Sequence, residues 1–191
     1  MSNNFKITQD YVKSLSSFTD KFLCEIDDNK FIKFTNMSLK TIFYNQIKKD
    51  YLRLELNIDA NKINEEIIQK SKEIKDIYKN PRMIRYHLRK DILDNDLKLC
   101  LKYKNESNIG FILKMIEKHY FQNEVIYSIE YNLGFCMPNS TNQQEIIYKF
   151  NSLKEINNIK GPFEIKTDTF FFANDNLIIH NKTLFYFSQI K

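Results

Sequence analysis

Glu117 and His119, in the stretch "MIEKHYFQNE" that spans residues 115 to 124, are the side chains best placed to do chemistry in this sequence. In a β-strand, two residues that are two positions apart lie on one face, with Cα atoms roughly 6–7 Å apart. An acid that orients an imidazole is common in acid–base catalysis. Met115 and Phe121 share that face, so alternation alone does not show whether the face points into a core or into water.

Several kinds of site would use these residues. Catalysis would need a nucleophile, and no nucleophile motif accompanies the pair. A metal site could use Glu117, His119 and His180 as two histidines and one carboxylate, although nothing in the sequence makes them converge. Nucleic-acid binding is suggested by lysines and aromatics that interleave in "LFYFSQIK", but neither an RNP-like nor a zinc-finger pattern is present.

Two further interpretations place the pair inside a β-sandwich. In the first, the core is filled and Glu117 and His119 lie at its polar edge. In the second, the sheets are splayed around an apolar slot, and Glu117 at its mouth accepts hydrogen bonds from the backbone of an incoming chain. Periodicity does not separate these two interpretations.

The length of 191 residues predicts one domain over residues 1–191. With 42% hydrophobic and 28% charged residues, the composition is that of a folded protein. The net charge of +5 is spread along the chain among acidic residues, which does not favour a nucleic-acid surface. Three widely separated cysteines predict neither a disulfide framework nor a metal site. An N-terminus without an apolar signal core, and no apolar run of about 20 residues, predict a cytosolic protein that does not span a membrane.

The predicted elements are mostly strands, with two helical segments. Apolar residues at helical spacing predict a short docking helix within residues 1–20, and a second stripe predicts a helical insertion over residues 59–80. From residue 83 onward, alternating stretches separated by polar turns predict an antiparallel sheet, ending in a hairpin whose turn is "ANDN". Several short strands with one helical insertion favour an all-β sandwich.

Two local expectations follow from the same patterns. Alternate residues from Val125 to Met137, including Leu133 and Phe135, are predicted on one side of a strand. Residues 143–160 are predicted to form irregular helical turns.

Three stretches carry a family resemblance: "MIEKHYFQN", "LGFCMPNSTN" and "TDTFFFANDNLIIHNK". In this order and at near-identical spacing, they resemble signature stretches of the uncoordinated-119 lipid-binding chaperone family, a branch of the GMP phosphodiesterase delta-subunit group. "ITQDY", "TIFYNQIKK" and "RYHL" are weaker matches. The resemblance covers residues 83–185 well and residues 7–50 loosely, and the segment 59–79 is longer than its counterpart.

The resemblance implies an immunoglobulin-like β-sandwich with a hydrophobic cavity between its sheets, and no enzyme activity, metal or cofactor. It implies a monomeric carrier that binds the acylated N-terminus of N-myristoylated proteins in the cytosol, without nucleic acid or stable membrane insertion. A GTP-bound Arf-like small GTPase releases the cargo, and the carrier thereby delivers lipidated proteins to membranes such as that of a cilium or flagellum. A prenyl-binding carrier of the delta-subunit type, and a solid-core interaction module, remain alternatives.

The resemblance also assigns roles to individual residues. Tyr86 matches a tyrosine that touches the first residues of the bound peptide, Glu117 matches a glutamate that accepts hydrogen bonds from the peptide backbone, and His119 matches a histidine on the same wall. The remaining predicted lipid- or peptide-binding residues are apolar positions of the pocket and two phenylalanines that replace tyrosines: Ile32, Ile92, Ile129, Phe171 and Phe185.

Overall fold

The structure is a computed structural model. It describes residues 6–24, 32–45, 50–58, 83–90, 93, 96–148, 156 and 158–188. For residues 32–45, 50–58, 84–87, 89, 96–98 and 148 it describes the backbone alone. The predicted helical insertion at 59–80 lies outside the described residues, and the assignment of residues 1–191 to one domain stays a prediction.

Nine described strands form two sheets. The four-stranded sheet has the order β2-β1-β4-β7, and the five-stranded sheet has the order β3-β9-β8-β5-β6. All pairs are antiparallel except β3 with β9, which is parallel. The strands are β1 (Ile32–Asn45), β2 (Asp50–Ile58), β3 (Met83–Arg89), β4 (Asp96–Asn105), β5 (Phe111–Phe121), β6 (Glu124–Cys136), β7 (Thr141–Tyr148), β8 (Phe163–Ala173) and β9 (Asn176–Ser188).

The main core lies between the two sheets. The four-stranded sheet contributes Leu99, Leu101 and Ile146, which belong to the same buried cluster as Met115 and Phe171 of the five-stranded sheet. Two packed sheets with alternating inward side chains are the arrangement of a β-sandwich. The predicted immunoglobulin-like, all-β fold is therefore confirmed.

Strand β6 departs from the predicted alternation at Gly134. Gly134 has φ +89°, a backbone conformation that glycine adopts without steric cost, and the pairing with β5 shifts register beside it. Leu133 is buried in the core as expected, but Cys136 also turns inward and Phe135 is 62% exposed. The expectation that Phe135 and Met137 continue the inward series is wrong, because a β-bulge resets which side chains face the core.

Residues 141–148 form β7, so the helical turns predicted for residues 143–160 are wrong over residues 143–148. Residues 149–155 and 157 lie outside the described residues. Along β7 the exposed residues alternate with more buried ones, and Ile146 reaches the core. β7 pairs with β4 over its whole length, so the backbone groups that face β4 are satisfied by the sheet. Tertiary pairing overrides the weak helical spacing of the apolar residues here.

The N-terminal strap (residues 6–24) covers the outer face of the five-stranded sheet. It begins with α1 (Gln9–Ser14), where the Thr8 side chain caps the helix by accepting a hydrogen bond from the Tyr11 N–H. Val12 packs into a second cluster with Ile116, Phe170 and Phe172, separate from the core between the sheets. The predicted docking helix is confirmed, and β5 and β8 are consequently buried on both faces.

Among the described residues, no helix has the length and apolar character needed to cross a bilayer.

A substitution at Val12 tests how much the docking of the strap on the sheet contributes to stability. Val12→Ala removes two methyl groups at a site with 0% exposure, and we expect the free energy of unfolding to fall by about 1–3 kcal/mol. Urea unfolding measures the change, with Ser14→Ala, on the exposed side of the same helix, as the control. Equal midpoints for the two variants would show that α1 is not docked on the sheet.

Candidate functional site

Glu117 and His119 lie on the face of β5 that points toward the other sheet. On that face they stand between Met115 and Phe121, which contribute to the core between the sheets. Glu117 is 6% exposed and His119 is 1% exposed. A carboxylate in such a place is costly unless hydrogen bonds compensate for lost water.

Two threonines of β8 provide hydrogen bonds to the pair. Thr169 donates from Oγ1 to Glu117 Oε2 at 3.0 Å, and Thr167 Oγ1 lies 2.9 Å from His119 Nδ1. The β5–β8 register places Glu117 opposite Thr169 and His119 opposite Thr167, which explains why each residue meets its own threonine.

The Glu117 and His119 side chains also contact each other. His119 Nε2 lies 2.8 Å from Glu117 Oε1. The contact is short, but its angle is not that of a hydrogen bond, so it is a close polar contact between the two side chains. The Thr167 hydroxyl and His119 Nδ1 share a hydrogen bond whose donor depends on which ring nitrogen carries the proton.

Two tyrosines of β6 complete this part of the wall. Burial raises the pKa of Tyr127, and the negative charge of Glu117 raises it further. Burial is also the main cause that raises the pKa of Tyr131, followed by Tyr127 and Glu117. Both phenols therefore stay protonated near neutral pH and keep a hydroxyl that can donate. The Tyr127 ring lies 5.7 Å from the His119 ring between centroids.

The series Thr167–His119–Glu117 has the order of a hydroxyl–imidazole–carboxylate triad, but its position does not suit catalysis. Thr167 is buried in the middle of β8, and its strand pairs with a neighbour on each side. Backbone N–H groups engaged in those ladders cannot form an oxyanion hole. The arrangement is suited to accepting and donating hydrogen bonds within a buried wall.

The metal-site alternative fails on geometry. His180 lies on the outer face of the same sheet, where its ring contacts Asp168 and stacks on Phe170, while Glu117 and His119 lie on the inner face. Within the part of the chain that the structure describes, no group of three His, Cys, Asp or Glu side chains could hold a metal ion.

Three more predicted residues lie in the five-stranded sheet with Glu117 and His119. Phe171 is buried in the core between the sheets, and Ile129, the cross-strand partner of Glu117, is partly buried against the same core. Phe185 is also partly buried against it. The structure therefore brings five of the predicted residues to one wall, and their binding role stays a proposal.

The other three predicted residues are described less fully. The backbone of Tyr86 lies in β3 directly opposite Phe185, while its side chain is outside the described part. Ile32 begins β1 in the other sheet, opposite Asn105, and its side chain is likewise outside it. Ile92 lies outside the described residues.

Sequence reasoning missed Thr167, Thr169, Tyr127 and Tyr131 as members of this wall. Alternation places Thr167 and Thr169 on one face with Phe171, but only the register between β5 and β8 shows that this face meets Glu117 and His119. That register depends on strands about fifty residues apart, as the separations of these hydrogen bonds show. A period-2 pattern holds no information on such pairing.

Comparisons with known proteins show the family of this chain. The family model described as "GMP-PDE, delta subunit" matches residues 27–187. Protein unc-119 of Caenorhabditis elegans is 30% identical over 186 residues, which cover 93% of this chain and 78% of the relative. Protein unc-119 homolog B is 28% identical in Danio rerio (92% of this chain, 72% of the relative) and 29% identical in Homo sapiens (92% and 70%). The resemblance inferred from three short stretches is confirmed, and the chain belongs to the GMP-PDE delta-subunit family, with Unc-119 proteins among its relatives.

Proposed function

We propose that this protein is a carrier that binds the N-myristoylated N-terminus of cargo proteins between its two sheets. Family membership supports a lipid-binding carrier in general. The observation that carries the finer proposal is the buried Glu117–His119 pair, which sets polar groups beside the apolar core between the sheets. An acylated peptide has the matching chemistry, because an apolar chain is followed immediately by backbone N–H donors.

Glu117 is suited to receive those donors. A carboxylate has two oxygens that accommodate about four donors, and the Thr169 hydroxyl donates to one of these oxygens, Oε2. Hydrogen bonds to an ionised acceptor in a buried site are about twice as strong as neutral ones. The carboxylate therefore distinguishes a peptide-linked acyl chain from an apolar ligand that has no N–H groups.

The apolar chain supplies most of the affinity in this proposal. Each buried methylene contributes about 0.8 kcal/mol, so a chain of about fourteen carbons contributes on the order of 10 kcal/mol before ordering costs. Met115, Ile129, Phe171 and Phe185 are among the described apolar residues of this wall. A matching slot between the sheets is part of the proposal.

Cargo release requires a partner that favours a state with poor lipid affinity. We assign this role to a GTP-bound Arf-like small GTPase that adds a strand at a sheet edge. The β6 and β7 edges suit this role, because the Tyr131 hydroxyl donates to the Ile147 carbonyl at 3.3 Å and links the two strands. A strand added there would pull on β6, whose inner face borders Glu117. The carrier then works in the cytosol and delivers cargo to membranes, including that of a cilium.

Native mass spectrometry tests the carrier proposal against its alternatives. The protein is mixed with one peptide in myristoylated, farnesylated and unmodified forms. We expect a one-to-one complex with the myristoylated form, and its loss on adding a GTP-loaded Arf-like GTPase but not the GDP-loaded form. Preference for the farnesylated peptide would support the prenyl carrier, and the absence of any complex would support a solid-core interaction module.

Glu117→Ala tests the role of the carboxylate. We expect it to weaken binding of a myristoylated Gly-peptide by about 1–3 kcal/mol, because charge-assisted hydrogen bonds to the peptide are lost. Titration of a fluorescently labelled peptide measures the change. The control is Glu130→Ala, on the outer face of β6, where the side chain forms an exposed ion pair with Lys13. Equal affinities for the two variants would reject the proposed role.

Phe171→Tyr tests whether peptide selectivity is set by this wall. The added hydroxyl is expected to provide a polar contact to the peptide and to tighten binding by about 0.5–1.5 kcal/mol. The same titration measures it, with Phe135→Tyr on the exposed outer face as the control. A sharp fall in affinity would show that the wall beside Phe171 has no room for the hydroxyl.

A further inference from the structure

Three successive cross-strand pairs of β5 and β8 are polar, two on the inner face of the sheet and one on the outer face. Glu117 pairs with Thr169, and His119 pairs with Thr167, on the inner face. Between them, Lys118 stands opposite Asp168 on the outer face, beneath the N-terminal strap. Each outer residue is therefore joined through single peptide units to both inner residues of its own strand.

Asp168 is the centre of the outer polar group and is 0% exposed. Its Oδ2 accepts a hydrogen bond from the Thr19 N–H at 3.0 Å, and its Oδ1 accepts from the Thr19 hydroxyl at 3.0 Å. His180 Nε2 lies 3.0 Å from Oδ1, and Lys182 Nζ lies 3.9 Å from it. Burial raises the pKa of the Tyr120 phenol, and the negative charge of Asp168 raises it further.

The neighbouring residues bind the strap through its backbone. His180 Nδ1 accepts a hydrogen bond from the Leu23 N–H at 3.0 Å, so Nε2 is the ring nitrogen that donates to Asp168 in the neutral ring. Lys182 donates to the Thr19 carbonyl, and Lys118 donates to the Lys13 carbonyl at 2.6 Å. These contacts give the strap one fixed position along the strands.

Simple attachment of the strap does not require this network. Val12 already docks on Ile116, Phe170 and Phe172, and apolar contacts of this kind hold a segment in place without any buried charge. Burying charged side chains costs free energy that an apolar surface would avoid, whereas a satisfied polar network favours one arrangement over others. The network therefore has a positional effect that the apolar contacts lack.

We propose that the strap positions the cargo-reading side chains from behind, with Thr19 and Asp168 fixing the part of β8 that carries Thr167 and Thr169. This inference rests on the proposed function of the inner face. Asp168 is a positioning residue, because it contacts the strap and not the cargo. Displacement of the strap lowers discrimination for the peptide while leaving apolar binding of the acyl chain in place.

Two variants and one control test the inference. Asp168→Asn removes the charge at the centre of the network, and Thr19→Val removes one hydroxyl with little change in shape. Lys13→Gln is the matched control, because it removes a strap charge whose partner is the exposed Glu130. Urea unfolding shows that each variant is folded, and Thr19→Val keeps the test available if Asp168→Asn does not fold.

The first readout compares two ligands, a myristoylated Gly-peptide and free myristate. In Asp168→Asn and Thr19→Val we expect affinity for the peptide to fall about three- to tenfold while affinity for myristate is unchanged. The control is expected to match the wild type for both ligands. A lower urea midpoint with an unchanged peptide-to-myristate ratio would overturn the inference, because the strap would then only stabilise the fold.

The second readout needs no ligand. Nitrogen-15 NMR of the His119 ring reports which nitrogen carries the proton and how it is hydrogen-bonded. We expect the ring signals to shift in the two test variants and to remain in place in Lys13→Gln. Unchanged ring signals would overturn the inference. If the wild type binds no acylated peptide, the proposed function fails alone, and the ring signals still decide whether the strap positions the inner pair.

Discussion

The buried contact between the Glu117 carboxylate and the His119 imidazole is the interaction on which the account of this sandwich depends. A polar pair within an apolar wall requires partners for both side chains, and β8 provides them through Thr169 and Thr167. Those partners require one register between β5 and β8, because a shift by one residue would turn each side chain to the other face.

The same register explains why the central strands are buried on both faces. The inner face of β5 and β8 contributes to the core between the sheets, and their outer face lies under the N-terminal strap. A single pair of strands thus links the strap, through Lys118 and Asp168, to the side chains proposed to read cargo. The link is short, because Lys118 and Asp168 are each adjacent in the chain to the two inner-face residues of their own strand.

Much of the fold was predictable because most strands are local patterns. The alternation in β5, the hairpin of β8 and β9 and the apolar spacing of α1 all indicate the observed elements. Two local expectations were wrong: Phe135 lies outward because the bulge at Gly134 changes the phase of β6, and residues 143–148 form a strand because β4 offers them a partner. At the candidate site, residue type and family resemblance single out Glu117 and His119. The contacts of Thr167 and Thr169 with them depend on the pairing of distant strands, which alternation in one strand does not show.

A myristoylated peptide that lacks its first two backbone N–H donors tests the central claim most directly. The affinity of a myristoylated peptide is compared with that of the same peptide methylated on its first two backbone nitrogens, which removes two N–H groups and keeps the acyl chain. If the inner wall reads those donors, methylation weakens binding by about 1–3 kcal/mol in the wild type. Equal affinities for the two peptides would contradict the claim that Glu117 and His119 recognise the peptide.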